Sequence, residues 1–215
     1  MTFPRFLNNN GYASAFVGKW HMGVDDTPRP GFDYWYSIQG QGYHFDPDVN
    51  ENGKRYKAEG YTTDIFTEKA VEFVKQEREE PFVLYLSHKV VHPNTFQYAD
   101  GSLSGTDEFT PAERHKNLYE GLEILRRPNA KHYGEGKPAL QRDIPGVEPQ
   151  GPDTGTKDDV IRDRLRMLAS ADDGTQEIIG GIKSGEILID IATGEQDTGF
   201  RRQRRLTPNQ GIACL

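Results

Sequence analysis

The sequence predicts an α/β domain built around a mainly parallel β-sheet. Two observations support this fold class. Short apolar stretches alternate along the chain with amphipathic helical stretches, which is the order that a parallel sheet with crossover helices requires. One apolar stretch, residues 82–86, is apolar at almost every position, as expected for a strand whose two faces are both covered.

The chain opens with a predicted helix over residues 2–10. Thr2 can cap this helix, Pro4 suits its first turn, and Gly11 can take the left-handed conformation that ends it. A short buried strand is then predicted over residues 12–17 from its length and apolar content.

Lys19 and His21 follow this strand between two glycines, Gly18 and Gly23. The carboxyl ends of strands are where open α/β sheets place their chemistry. A lysine ammonium is a compact positive charge for anionic oxygens, and histidine exchanges protons near neutral pH. The turn is therefore a candidate site, and the alternative interpretation is a surface lysine beside a packed histidine.

The next stretch is predicted to be rich in turns. The aromatic residues within 32–36 are expected to pack locally rather than to form a base-stacking platform. Residues 40–53 are predicted to form a loop in which Asn52 and Gly53 favour a hairpin turn.

The clearest helix is predicted to begin at a capping Thr62 or Thr63. Its apolar residues recur at helical spacing and form one stripe, which consists of Phe66, Ala70, Phe73 and Val74. The strand over residues 82–86 follows this helix. Its carboxyl end leads into a basic segment that contains His88, Lys89 and His92.

The second half of the chain is predicted to be more irregular. A helix is expected near residues 112–125, a long polar loop over residues 129–157, a second helix from about residue 158, and a strand over residues 186–191. The predicted apolar face of the later helix consists of Val160, Ile161, Leu165, Leu168 and Ala169, and a continuation of the helix would add Ile178, Ile179 and Ile182.

Composition argues against several classes of function. The formal net charge of −7 disfavours nucleic acid or an anionic membrane as the main partner, and the basic run Arg201–Arg205 is too small to reverse that balance. No apolar run approaches the roughly 20 residues that cross a bilayer. The single cysteine, Cys214, rules out an internal disulfide framework. We therefore expect neither a nucleic-acid nor a membrane partner.

A series of motifs occurs in a fixed order along the chain. The first is Gly11-Tyr12-x-Ser14-x-x-Val17-Gly18-Lys19-Trp20-His21-x-Gly23. Those that follow are Pro30-Gly31-Phe32-Asp33-Tyr34-Trp35, Gly60-Tyr61-Thr62-Thr63-Asp64, Pro81-Phe82-Val83-Leu84-Tyr85-Leu86-Ser87-His88-Lys89 with His92-Pro93, Pro111-Ala112-Glu113-Arg114-His115 and Ser170-Ala171-Asp172-Asp173-Gly174. This series resembles the sulfatases, formylglycine-dependent enzymes of the alkaline-phosphatase superfamily, over about residues 2–190. Within that family it is most similar to members of the N-acetylglucosamine-6-sulfatase and arylsulfatase type.

The resemblance implies a partial alkaline-phosphatase-like sandwich, with the family's first strand and later part missing. It implies that Lys19 binds the sulfate oxygens, that His21 holds or deprotonates the formylglycine hydrate, and that His92 contacts sulfate and assists the leaving group. His88 and Lys89 have no such role in the family, so we expect them at the rim of the site. The implied activity is hydrolysis of the sulfate ester of a sulfated carbohydrate or aryl compound, which would be the partner of the site.

The sequence also departs from the family pattern. The Cys-x-Pro-Ser/Ala-Arg signature, whose cysteine becomes formylglycine, is absent, and Cys214 cannot replace it. Neither the N-terminal Asp-Asp pair nor the Asp-Asn-Gly motif that ligates calcium is present. The chain has Ala192-Thr193-Gly194-Glu195 where the second motif should stand. Calcium, the cofactor of the intact family, needs converging oxygen ligands, so we expect no metal site here. Asp172 and Asp173 are interpreted as packing residues of a helix.

We therefore interpret residues 1–191 as part of a sulfatase catalytic domain that is incomplete at both ends. Residues 192–215 are interpreted as an irregular tail read out of frame. No signal peptide is expected at Met1, although the intact family is secreted or periplasmic. We expect the chain alone to be inactive, and the alternative is a sulfosugar-binding remnant without turnover. A further alternative is that the chain does not fold, because a sheet that lacks a strand exposes an apolar edge.

Overall fold

The computed structural model describes residues 2–106, 108–127, 136–142, 145 and 156–182. Its helices are α1 (Phe3–Asn9), α2 (Thr62–Val74), α3 (Pro138–Gln141) and α4 (Asp158–Gly181). Its strands are β1 (Ala13–Lys19), β2 (Tyr34–Ile38), β3 (Asp48–Glu51), β4 (Lys54–Lys57), β5 (Phe82–Ser87), β6 (Thr95–Gln97) and β7 (Leu103–Gly105). A 3₁₀ turn covers Glu113–His115.

Strands β1 to β5 form a five-stranded sheet in the order β4-β3-β2-β1-β5. β1 pairs in parallel with both β2 and β5, while β3 and β4 add an antiparallel hairpin at one edge. The hairpin turns at Asn52 and Gly53, whose φ values of 51° and 93° match the left-handed turn that such a pair favours. The predicted α/β class with a parallel centre is confirmed, and so is the hairpin.

The two faces of β1 pack against different cores, because successive side chains of a strand point to opposite faces. Ala15 and Val17 lie in the hydrophobic cluster beneath α2, where the predicted stripe of that helix is buried as expected. Phe16 lies on the other face and stacks on Trp35 with ring centroids 4.5 Å apart. Phe32 joins the same aromatic cluster, so the local packing predicted for residues 32–36 is confirmed.

Three details of the helices differ from the prediction. Tyr61, rather than a threonine, occupies the N-cap of α2, and Thr62 Oγ1 donates to the Tyr43 carbonyl at 2.7 Å instead.

The predicted helix over residues 112–125 is wrong. Its backbone reaches φ values of +60° at Tyr119 and +73° at Gly121, which an α-helix cannot contain.

The face predicted for α4 is buried only in part. Leu168 is 45% exposed, and the buried positions are Met167, Ser170, Gly174 and Ile178. α4 packs so closely on α2 that a Cβ at Gly174 would lie 2.2 Å from Thr67 Oγ1. Close approach therefore requires a glycine at position 174, beside larger buried residues such as Met167 and Ile178.

Some predictions lie outside the residues that the structure describes. These are the strand over 186–191, the tail over 192–215 with Cys214, and most of the loop over 129–157. The described part of that loop contains the short helix α3. Among the helices that the structure describes, none is both long and apolar enough to span a membrane.

Candidate functional site

The carboxyl ends of β1 and β5 meet at the same edge of the sheet. The two strands are parallel and in register, with Gly18 of β1 opposite Ser87 of β5. Gly18 has a φ of +133°, and a Cβ at this position would lie 2.0 Å from the Ser87 carbonyl oxygen. Only glycine permits this approach, which brings the turn after β1 next to the segment after β5.

Lys19 ends β1 with its side chain largely buried, at 8% exposure. Its Nζ donates to Gln41 Oε1 at 2.5 Å. Desolvation lowers the pKa of Lys19, because burial disfavours the charged form. Sequence reasoning missed Gln41, since nothing in the predicted loop over residues 40–53 distinguishes this glutamine as a lysine partner.

His21 lies in the exposed turn that follows Lys19, and its φ of +61° is uncommon for a residue other than glycine. Its charge contributes to lowering the pKa of His92. Lys19, His21 and His92, which were selected separately from the sequence, are thus brought into one electrostatic neighbourhood.

His92 is half-buried and follows β5 by a short turn. Its pKa is lowered first by desolvation and then by the charges of Lys19, Lys89 and His21. His92 Nδ1 lies 3.1 Å from the Pro93 carbonyl oxygen. Because a carbonyl only accepts, this contact is a hydrogen bond when Nδ1 carries the proton, which leaves Nε2 free to accept one.

The resemblance led us to expect Lys89 at the rim of the site, but the structure buries it. It is 2% exposed, and its Nζ donates to the Pro93 carbonyl at 3.0 Å. Desolvation, followed by the charge of Lys19, lowers the pKa of Lys89 to about 7. The turn at Val91, with a φ of +54°, folds the chain back over this lysine, which residue type and spacing could not reveal.

His88 is also internal rather than at the rim. Its imidazole lies beside the ring of Phe66, with centroids 6.2 Å apart. Neither ring nitrogen is accessible to solvent, and neither has a hydrogen-bond partner within the described residues. Desolvation lowers the pKa of His88 to about 4, which keeps the ring neutral at physiological pH.

His44 is a residue of the site that the sequence did not identify. It is fully buried, and its Nε2 lies 2.7 Å from the His92 carbonyl oxygen. Its backbone N–H donates to Asn94 Oδ1 at 3.2 Å. Desolvation and the charge of Lys89 lower the pKa of His44 to about 4. The sequence predicts only a loop over residues 40–53, and nothing in it distinguishes this histidine.

The site is strongly basic. The charged groups that most affect His92 are all bases, namely Lys19, Lys89 and His21. Desolvation disfavours the protonated, charged forms of these side chains, and a negatively charged ligand would favour those forms again. The arrangement is therefore suited to bind an oxyanion and to exchange a proton with it.

The donor chemistry does not fit calcium. Ammonium and imidazole groups dominate the site, whereas calcium takes six to eight oxygen ligands. Among the described residues, no three His, Cys, Asp or Glu side chains are grouped so that they could hold a metal ion. Asp173 is engaged elsewhere, because its Oδ2 lies 3.3 Å from Arg114 Nε and 3.0 Å from His115 Nε2.

Comparison with known proteins identifies relatives of this chain. A family model described as Sulfatase matches residues 1–190. N-acetylglucosamine-6-O-sulfatase of Bacteroides thetaiotaomicron is 32% identical over 149 residues, which are 66% of this chain and 24% of that protein. N-acetylglucosamine-6-sulfatase of Capra hircus is 23% identical over 218 residues, which are 93% of this chain and 36% of that protein. The chain thus spans about a quarter to a third of the length of these curated relatives.

Solved structures agree with the fold. A protein in complex with its substrate D-glucosamine-2-N,6-O-disulfate matches with a TM-score of 0.52 and 26% identity, over 84% of this chain and 36% of that one. A second protein, in complex with a neocarrahexaose, matches with a TM-score of 0.54 and 18% identity, over 83% of this chain and 35% of that one. The second similarity bears on the fold alone. Both matches cover about a third of the larger chain, as expected for a partial fold.

Proposed function

The chain belongs to the sulfatase family, and on that premise we propose that it binds the sulfate ester of a sulfated sugar, with hydrolysis only where a nucleophile is supplied. The observation that carries the proposal is the convergence of Lys19 and His92 at one sheet edge, within a group of bases. In this proposal Lys19 binds the sulfate oxygens. His92 contacts the sulfate group and protonates the leaving oxygen, and His21 holds or deprotonates the attacking hydrate.

The electrostatics of the site support these roles. An ion pair with a partly desolvated ammonium is stronger than one in open water, so Lys19 is well placed to hold a sulfate oxygen. A bound sulfate ester would also raise the pKa of His92, because negative charge favours imidazolium. Binding itself would therefore load His92 with the proton that the leaving oxygen needs.

A 6-O-sulfated glucosamine derivative is the substrate class that we propose. The support is the identity to the Bacteroides thetaiotaomicron N-acetylglucosamine-6-O-sulfatase and the similarity to the protein bound to D-glucosamine-2-N,6-O-disulfate. Calcium chemistry in the family would require oxygen ligands that the described residues do not supply.

The proposal includes turnover only for a protein that supplies the nucleophile. The 215-residue sequence contains a single cysteine, Cys214, which no Pro-Ser-Arg or Pro-Ala-Arg follows. We therefore expect this chain to bind a sulfated sugar without hydrolysing it, which is the behaviour of a sulfosugar-binding module. The side chains that we propose bind the sulfated sugar would be the same in a binding module and in an active sulfatase.

The test compares binding of N-acetylglucosamine 6-sulfate with binding of unsulfated N-acetylglucosamine by calorimetry. We expect the sulfated sugar to bind more tightly. Replacing Lys19 with methionine is expected to weaken this binding by about tenfold or more, the usual effect of losing a charged hydrogen bond. The matched control is Lys54→Met, since Lys54 is exposed on the distant hairpin.

Two results would overturn parts of this proposal. Equal affinity for the two sugars would remove the sulfate-binding role. Release of sulfate from a chromogenic aryl sulfate by the purified chain would show that binding without turnover is wrong.

A further inference from the structure

The backbone beside His92 takes a costly conformation. Val91 has a φ of +54°, in the left-handed region that β-branched residues rarely enter. Such a turn persists only where surrounding contacts determine it. The contacts that hold this turn come from two side chains outside the catalytic assignments of the family resemblance, His44 and Lys89.

His44 holds the carbonyl of His92. Its Nε2 lies 2.7 Å from that oxygen, and since a carbonyl only accepts, Nε2 must carry the proton. The imidazole is fully buried, so water does not compete for this contact. Asn94 fixes the backbone of His44, because its Oδ1 accepts the His44 backbone N–H at 3.2 Å.

Lys89 holds the carbonyl of Pro93, which is the group that orients the His92 ring. Lys89 Nζ donates to this oxygen at 3.0 Å, and the backbone N–H of Thr95 donates to it at 2.9 Å. His92 Nδ1 lies 3.1 Å from the same oxygen. Lys89 and the His92 imidazole thus contact the same Pro93 carbonyl oxygen, so Lys89 affects the orientation of the ring.

The segment that carries His44 also reaches Lys19. Gln41, three residues earlier in the chain, accepts the hydrogen bond of Lys19 Nζ. Glycines flank Gln41 with φ values of +55° at Gly40 and +62° at Gly42. A Cβ at Gly42 would lie 2.6 Å from Ile38 Cδ1, so the segment is tightly seated. One short loop therefore contacts the ammonium of Lys19 and the backbone of His92.

We propose that His44 and Lys89 are positioning residues that fix the His92 imidazole, with Nδ1 protonated and Nε2 free, in a set orientation relative to Lys19. This inference rests on the proposed function of His92. It adds that the proton-exchanging nitrogen is Nε2 and that its direction is set by two buried donors that do not touch the ligand.

The first test measures the ring tautomers in the unmodified 215-residue chain by nitrogen-15 NMR of histidine side chains. We expect His92 to be protonated at Nδ1 and His44 at Nε2. The opposite tautomer at either ring would overturn the proposal. This measurement needs no sugar, so it stands even if the chain binds none and the proposed function fails.

The second test separates hydrogen bonding from charge and from folding. Lys89→Met and His44→Phe remove the donors, whereas Lys89→Gln and His44→Gln restore an N–H without a cation. We expect the first pair to mix the two tautomers of His92 and to weaken N-acetylglucosamine 6-sulfate binding about tenfold, as loss of a positioning hydrogen bond would. The glutamine variants should retain a single tautomer and most of the affinity.

Two outcomes would contradict the positioning role. One is an unchanged His92 tautomer in Lys89→Met and His44→Phe, with melting temperature alone reduced, which would make both residues merely structural. The other is a glutamine variant that behaves like its donor-free counterpart, which would show that charge or ring shape, rather than the hydrogen bond, is what matters. Lys54→Met serves as the surface control, because its side chain is exposed.

Discussion

Replacing His88 with leucine is expected to remove much of the acid sensitivity of the folded chain. Desolvation lowers the pKa of His88 from the ordinary 6.5 to about 4. Below about pH 6.5 the unfolded chain gains a proton that the folded chain does not bind until about pH 4. Stability therefore falls as pH falls through this window and is unaffected by His88 above it. At about 1.36 kcal/mol for each pH unit, the interval corresponds to roughly 3 kcal/mol.

The assay is urea unfolding at pH 7 and pH 4, followed by tryptophan fluorescence. At pH 7 the wild type and His88→Leu should differ by about 1 kcal/mol or less, because leucine fills the site without unpaired nitrogens. At pH 4 the wild type should have lost roughly 3 kcal/mol more than the variant. His44 also has a pKa lowered to about 4, so a similar residual sensitivity should remain until it too is replaced.

The control for this prediction is Met22→Leu, because Met22 is exposed and carries no titratable group. It should leave the difference between pH 7 and pH 4 unchanged. If His88→Leu loses as much stability as the wild type between the two pH values, the buried neutral imidazole is not the source of the acid sensitivity, and the reasoning from desolvation is refuted.

Two further predictions concern glycines at close approaches. Gly18→Ala should destabilise the fold by roughly 3 kcal/mol or more, because the new Cβ would collide with the Ser87 carbonyl and because alanine disfavours the positive φ at this position. Gly60→Ala, with a φ of +114° but no heavy atom within 4 Å, should cost only about 1–2 kcal/mol in the same urea experiment, and equal losses would contradict the steric argument. Gly174→Ala should destabilise by about 1–3 kcal/mol through contact with Thr67. In a Thr67→Ala background most of that penalty should be lost, because only the contact with the Cβ of residue 67 at 3.2 Å remains, and an undiminished penalty would show that helix packing is not its cause.

The sequence predicted the parts of the fold that long, regular patterns determine. The helical stripe of α2 is buried as expected, whereas in the apolar run of β5 only Val83 and Leu84 are fully buried and the other residues are half-buried. The two basic segments were located correctly because each follows a strand, and parallel strands deliver their carboxyl ends to one edge. Topology alone thus brings Lys19 and His92 into one neighbourhood.

What the sequence could not predict depends on the conformation of irregular segments. His44 and Gln41 enter the site because of a glycine-flanked loop, and no periodicity marks them. The burial of Lys89 depends on a left-handed turn at Val91, which valine does not favour by itself. The failure at Leu168 has a different cause, since helix separation rather than hydrophobicity decides which face of α4 is buried.

The central position of β1 has a consequence for how the chain acquires its structure. β1 precedes both of its partners, β2 and β5, in the sequence. During synthesis its apolar residues, Ala15 to Val17, must wait for Phe82–Ser87 before both edges are paired. Contacts between such distant segments form slowly, and an apolar strand with open edges is prone to pair with other chains. Folding yield should therefore depend on how β1 is protected until the ribosome has completed β5.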